Sequence, residues 1–191
     1  MRKTKSRTSG YIVTGLIFYG VTLIFSLLSL VFIADAIPKA VKIIFGFVFA
    51  APVFIMIYNL GAARAAADFT AKASALSGRD KTMAAVGVNL FLSPLYTLSF
   101  GVPMLVLTLV GAAAPHVPVM GAVYVIYMPA SLIFGTLGAV SLDPVTWAAF
   151  AVYGVYTLIT CGTFVAAYCL RVKKLQDRRR KIAGEIRMFN S

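Results

Sequence analysis

Long uncharged hydrophobic runs alternate with short polar or charged segments along this chain. Five runs are distinct, at 11–33, 43–60, 83–114, 119–140 and 145–170. Most of them reach or exceed the roughly 20 residues that a helix needs to cross a bilayer. A membrane β-barrel would instead show alternating segments of about 10 residues. The pattern therefore predicts an all-α, polytopic membrane helix bundle.

Prolines and glycines refine the expected boundaries within one membrane domain, 1–170. Its predicted full spans are about 11–33, 43–60, 94–110 and 145–170. The run 83–114 is too long for one straight span, so an interfacial turn through about Ser93 is expected to precede the third span. The first span carries hydroxyls roughly on one side, which we expect to bond back to their own backbone rather than to other helices. These hydroxyls belong to Thr14, Thr22, Ser26 and Ser29.

Two charged segments are expected to be helical outside the membrane. Residues 62–76 are rich in alanine, a strong helix former, and lie in a predicted cytoplasmic loop, 61–81. Arg64, Asp68 and Lys72 are spaced by four, which predicts pairing along one side of this helix. The helix is either a docking site for a partner or an extension of the second span.

Residues 171–191 form a basic cytoplasmic tail in which apolar positions recur at helical spacing. Such a tail predicts an amphipathic helix. It either lies on the inner leaflet, where anionic lipid attracts it, or continues the last span into solvent.

Charge decides how many runs cross the membrane. The chain carries 18 Lys and Arg and has a net charge of +12. Four crossings place both termini and 16 of these 18 side chains in the cytoplasm, leaving Lys39 and Lys42 outside. Five crossings divide them 10 against 8, so the bias of positive charge to the cytoplasmic side favours four.

One run should then enter and leave from the outside. The best candidate is 119–140, because Pro129 can split it into two half-helices, and the rival is 83–114. The predicted architecture is four full spans plus one re-entrant or broken segment, and five ordinary spans remain the alternative.

Composition narrows the class of function. The chain is 60% hydrophobic and 13% charged, which is typical of a multi-pass protein of the cell membrane. The basic charge lacks the interleaved aromatic residues of a nucleic-acid surface, so lipid is the expected partner. The hydrophobic runs contain no Asp, Glu, Lys, Arg or His. We therefore expect no enzyme activity, catalytic residue, metal site or cofactor, and no transport powered by the chain alone.

Neutral polar groups and bent helices remain as candidate chemistry. They favour a transport-associated subunit for a neutral or apolar small molecule, which depends on a partner membrane or ATPase subunit for energy and can form homo-oligomers. The alternative is a non-transporting accessory, assembly, immunity or pore-forming protein. Polar residues near the helix breaks are the candidate ligand-binding residues: Asn89, Ser93, Tyr96, Tyr127 and Ser131.

Overall fold

The structure is a computed structural model that describes residues 2–29, 37–75, 90, 92–113, 122, 123, 125–136 and 147–189. Within these residues the chain forms five helices: α1 (Arg2–Ser29), α2 (Lys39–Ala75), α3 (Leu92–Ala113), α4 (Met128–Thr136) and α5 (Trp147–Phe189). The helices α1, α2, α3 and α5 are each long and apolar enough to span a membrane. The predicted all-α membrane helix bundle with four spans is confirmed.

For the charged ends of α2 and α5, the structure agrees with the alternative in which each continues a span. The predicted helix 62–76 is continuous with the second span, and α2 extends over 37 residues through Pro52. In the same way the basic tail continues the last span, and α5 extends over 43 residues. At 1.5 Å per residue both helices are about twice as long as the roughly 30 Å hydrocarbon core. The tail is thus an extension of α5 and does not form a separate helix on the membrane surface.

The charged N-terminal part of α1 and the charged C-terminal parts of α2 and α5 belong to the same end of the bundle, where α3 begins. The ring of Tyr11 in α1 is 4.7 Å from that of Tyr96 in α3, and the Tyr96 ring is 6.2 Å from that of Tyr168 in α5. Arg64, in the C-terminal half of α2, bonds to Thr14 of α1. We call this the basic end of the bundle and the opposite end the far end. The first residue of α1, Arg2, and the last residue of α5, Phe189, both belong to the basic end, as four crossings require.

The short helix α4 packs at the far end. Its nine residues rise about 14 Å, less than half of a hydrocarbon core. The connection from Ala113 to Trp147 begins and ends at the far end, and its described residues 128–133 are buried among the long helices. Gly46 of α2 permits this contact, because a Cβ there would lie only 2.6 Å from Cγ1 of Ile133. This geometry fits a segment that enters and leaves from one side.

Aromatic side chains fill the middle of the bundle. The Phe18 and Phe100 rings stack at 4.7 Å, and Phe100 meets Phe164 edge to face at 5.8 Å. Gly61 lets α2 approach α5, since a Cβ at Gly61 would lie 2.6 Å from the carbonyl oxygen of Phe164. A backbone oxygen cannot move aside as a flexible side chain can, so this close approach depends on glycine.

Candidate functional site

A half-buried carboxylate, that of Asp68, lies at the basic end of the bundle. The Tyr168 hydroxyl donates to Oδ2 of Asp68 at 2.7 Å, and the Tyr96 hydroxyl lies 3.0 Å from Oδ1 and 3.1 Å from Oδ2. Removing part of the water around a carboxylate is costly unless hydrogen bonds replace it, and bonds to an ionised acceptor are stronger than neutral ones. These bonds join α2, α3 and α5.

Arg64 extends this arrangement to the first helix. Its Nε donates to Oγ1 of Thr14 at 2.7 Å, and the Thr14 hydroxyl donates to the carbonyl of Gly10, also at 2.7 Å. Arg64 lies one helical turn before Asp68, so one face of α2 carries both charges into the bundle. We call Thr14, Arg64, Asp68, Tyr96 and Tyr168 the Asp68 cluster. It connects all four long helices.

A second polar cluster surrounds α4 at the far end, and it is built only of hydroxyls. The Tyr127 hydroxyl lies 3.1 Å from Oγ1 of Thr108 and 2.8 Å from Oγ1 of Thr157. The Ser131 hydroxyl lies 2.8 Å from that of Tyr153, whose ring stacks on Tyr127 at 4.4 Å. We call these five residues the hydroxyl cluster. It ties α4 and the residue before it to α3 and α5.

A further bond holds the chain just before α4. Pro129 has no backbone N–H, so it cannot donate to the carbonyl of Val125 four residues earlier. The Ser26 hydroxyl of α1 donates to this carbonyl instead. On either side of Pro129 the helical pattern persists, since the Tyr127 amide bonds to Val123 and the Ser131 amide to Tyr127. The broken helix is therefore completed by a side chain from another helix.

The predicted ligand-binding residues do not converge on one site. Asn89 lies outside the described residues, and the Ser93 hydroxyl donates to the carbonyl of Leu90 at the start of α3. Tyr96 belongs to the Asp68 cluster, whereas Tyr127 and Ser131 belong to the hydroxyl cluster. The two clusters are about 18 Å apart along α3, given 1.5 Å per residue. Apolar side chains fill the space between them.

Sequence reasoning placed Asp68 on a helix of the 61–81 segment but missed its bonds to α3 and α5. The spacing of small and apolar residues along α2 could have indicated that this stretch packs against the other helices. Small or apolar residues recur at every fourth position through the polar stretch, which indicates that the buried face continues. These residues are Val53, Ile57, Gly61, Ala65 and Phe69, all of them buried. Tyr168, Tyr153, Thr108 and Thr157 were also missed, since none of them lies at a helix break.

The hydroxyls of α1 behave differently from one another. Thr14 bonds back to its own backbone as expected, but it also accepts a bond from Arg64. The expectation is wrong for Ser26, which donates to the carbonyl of Val125 in another segment. Oγ1 of Thr22 is buried with no hydrogen-bond partner within the described part of the chain. The side chain of Ser29 lies outside the described residues.

Comparison with protein-family models, curated proteins and solved structures finds no match for this chain. Its function is therefore argued from the geometry of the two clusters and of the helices that carry them.

Proposed function

We propose that this multi-pass membrane protein is a transport-associated subunit for a neutral or apolar small molecule. The broken helix α4 carries the proposal, because it enters the bundle from the far end and is held by neutral hydroxyls and one completed carbonyl. Discontinuous helices are where many transporters place their substrate sites. Hydroxyls that bond to one another in a closed state can bond to a neutral solute when the helix moves.

The position of the two clusters supports this role. One closes the bundle at the basic end and the other at the far end, with an apolar middle between them. A solute that crosses must pass both, and alternating access opens them in turn. The bonds within each cluster are individually modest, at about 0.5–1.5 kcal/mol between hydroxyls and about 1.5–3 kcal/mol to the carboxylate, so either cluster can open without unfolding the bundle.

The long ends of α2 and α5 supply a surface for a partner. Beyond the Asp68 cluster the two helices remain in contact, with Arg179 of α5 over the ring of Phe69 of α2 at 5.9 Å. We propose that a membrane or ATPase subunit docks there and supplies the energy, and that copies of the chain can associate. We assign no catalytic activity, metal or cofactor to it.

A non-transporting accessory, assembly, immunity or pore-forming protein is the second candidate. The observation that favours it is the completeness of the hydroxyl cluster, in which Tyr127 is fully buried and Ser131 is 2% exposed. Hydroxyls that are all bonded to one another hold α4 in place, and this structural role needs no ligand.

Thermal unfolding of the purified chain with a panel of neutral metabolites separates the two candidates. A ligand at 100 times its Kd stabilises the folded state by about 2.7 kcal/mol, which gives a clear shift of the midpoint. Transport predicts that at least one metabolite raises the midpoint, and that Tyr127→Phe abolishes this shift. Tyr58→Phe is the matched control, because Tyr58 is 46% exposed on α2. No shift from any metabolite, together with no ATPase co-purifying, would leave the accessory role.

A further inference from the structure

One face of α5 is largely exposed from Val155 to Lys181. Up to Leu170 this face is apolar: Val155 is 55% exposed, Ile159 is 53% exposed and Leu170 is 57% exposed. Large exposed apolar side chains on a spanning helix are solvated by lipid acyl chains, since water would be a poor solvent for them. The face thus marks where lipid contacts the protein, up to Leu170.

Directly after Leu170 the same face becomes cationic. Residues spaced by three and four continue it, and they line a shallow surface pocket together with Leu170: Lys173, Lys174, Asp177, Arg178 and Lys181. Four cations and one carboxylate leave a net charge of +3 on this stripe. The opposite face of α5 is turned inward, with Tyr168 and Val172 at most 1% exposed. The stripe is therefore held in place by the packing of the other face.

We infer that this basic stripe is a binding site for the phosphate-bearing headgroup of an acidic phospholipid. The acyl chains of the lipid lie along the apolar part of the face, and the headgroup phosphate is bound by Lys173, Lys174 and Arg178. The face changes from apolar to cationic within one helical turn, which is about 5 Å. The change from acyl chain to headgroup in a phospholipid is similarly abrupt. Asp177, on the same face, repels the phosphate and directs it toward the two lysines.

An acidic protein is a poorer fit to the same stripe. Leu170 lines the pocket beside the cations, so an occupant must present apolar and anionic groups next to each other at the membrane boundary. A phospholipid does this by its structure. The stripe is about 12 Å long, from Lys173 to Lys181, which accommodates one or two headgroups. This inference does not depend on the transport proposal.

The test uses the full chain in neutral detergent with dioleoyl phosphatidylglycerol or dioleoyl phosphatidylcholine. Native mass spectrometry counts bound lipids, and thermal unfolding measures their effect. Each near-surface cation contributes about 1 kcal/mol with anionic lipid, or roughly fivefold in affinity. We expect wild-type protein to retain the anionic lipid and be stabilised by it. The double variant Lys173→Ala/Lys174→Ala should bind it roughly 25-fold more weakly.

The matched control is Lys39→Ala/Lys42→Ala, which removes the same two charges from the start of α2, at the far end. It should keep wild-type affinity, and both double variants should keep the wild-type midpoint in the zwitterionic lipid. Equal retention of the two lipids by wild-type protein would overturn the inference and leave an acidic protein as the occupant. Equal losses in the two double variants would overturn it as well, because they would indicate attraction by net charge alone. If the alanine variant is unstable, Arg178→Gln provides the same comparison, with an expected loss of roughly fivefold.

Discussion

At the scale of single residues, the hydrogen bond between Tyr168 and Asp68 can be tested by substitution. Tyr168 is fully buried, and its hydroxyl donates to the Asp68 carboxylate at 2.7 Å. Hydrogen bonds to charged groups contribute about 1.5–3 kcal/mol. Tyr168→Phe should therefore lower the free energy of unfolding by about this amount, as measured by chemical denaturation in detergent. Asp68→Ala should cost more, because it leaves the hydroxyls of both Tyr96 and Tyr168 without their acceptor.

Tyr58→Phe controls for loss of a hydroxyl at an exposed position of α2, and it should change the free energy of unfolding by less than about 0.5 kcal/mol. If Tyr168→Phe costs no more than this control, the Asp68 cluster does not stabilise the basic end. Asp68→Asn adds a useful comparison, since the amide oxygen can still accept one bond but the charge is gone. Its cost should lie between that of Tyr168→Phe and that of Asp68→Ala.

At the scale of elements, Ser26 and Pro129 should act as a pair. In the native chain the Ser26 hydroxyl donates to the Val125 carbonyl, which Pro129 leaves without its helical donor. Ser26→Ala should therefore cost about 1–3 kcal/mol, because a partly buried carbonyl loses its partner. In a Pro129→Ala background, the backbone N–H of residue 129 can donate to the Val125 carbonyl. Ser26→Ala should therefore cost little in that background. A double-mutant cycle of thermal or chemical unfolding measures this coupling.

Ser99→Ala provides the control for that cycle, since the Ser99 hydroxyl bonds to the Tyr96 carbonyl within α3. Its effect should add to that of Pro129→Ala within about 0.5 kcal/mol. A Ser26 effect that is the same in both backgrounds would show that the contact to Val125 does not complete the broken helix.

The helices also show which parts of the fold could be predicted from the sequence. Uncharged length indicated the four spans, and Pro129 indicated the break in the 119–140 run, because both depend on local chemistry. The continuation of α2 past Gly61 was one of two alternatives that the sequence left open, since the polar residues of this stretch mask the buried spacing of Ala65 and Phe69. The Asp68 site could not be predicted, because Tyr168 is 100 residues from Asp68 in the chain and only tertiary packing brings them together.

At the scale of the whole molecule, the charge pattern and the packing are consistent with each other. The described cations of α2 beyond Gly61 and of α5 beyond Leu170 belong to the end where Tyr11, Tyr96 and Tyr168 meet. An even number of crossings places the two termini on one side, and positive charge favours the cytoplasmic side. The central claim is thus a bundle of four crossings in which the segment that contains α4 returns to the side it entered from.

Labelling of single cysteines by a membrane-impermeant thiol reagent in intact cells tests this claim most directly. The background replaces the free Cys161 and Cys169 by alanine. His116→Cys and Ser141→Cys, on either side of α4, should both react in intact cells, whereas Ser191→Cys should react only after permeabilisation. If exactly one of the two positions around α4 reacts before permeabilisation, the segment crosses the membrane a fifth time. Reaction of Ser191→Cys in intact cells would contradict the cytoplasmic position of the tail.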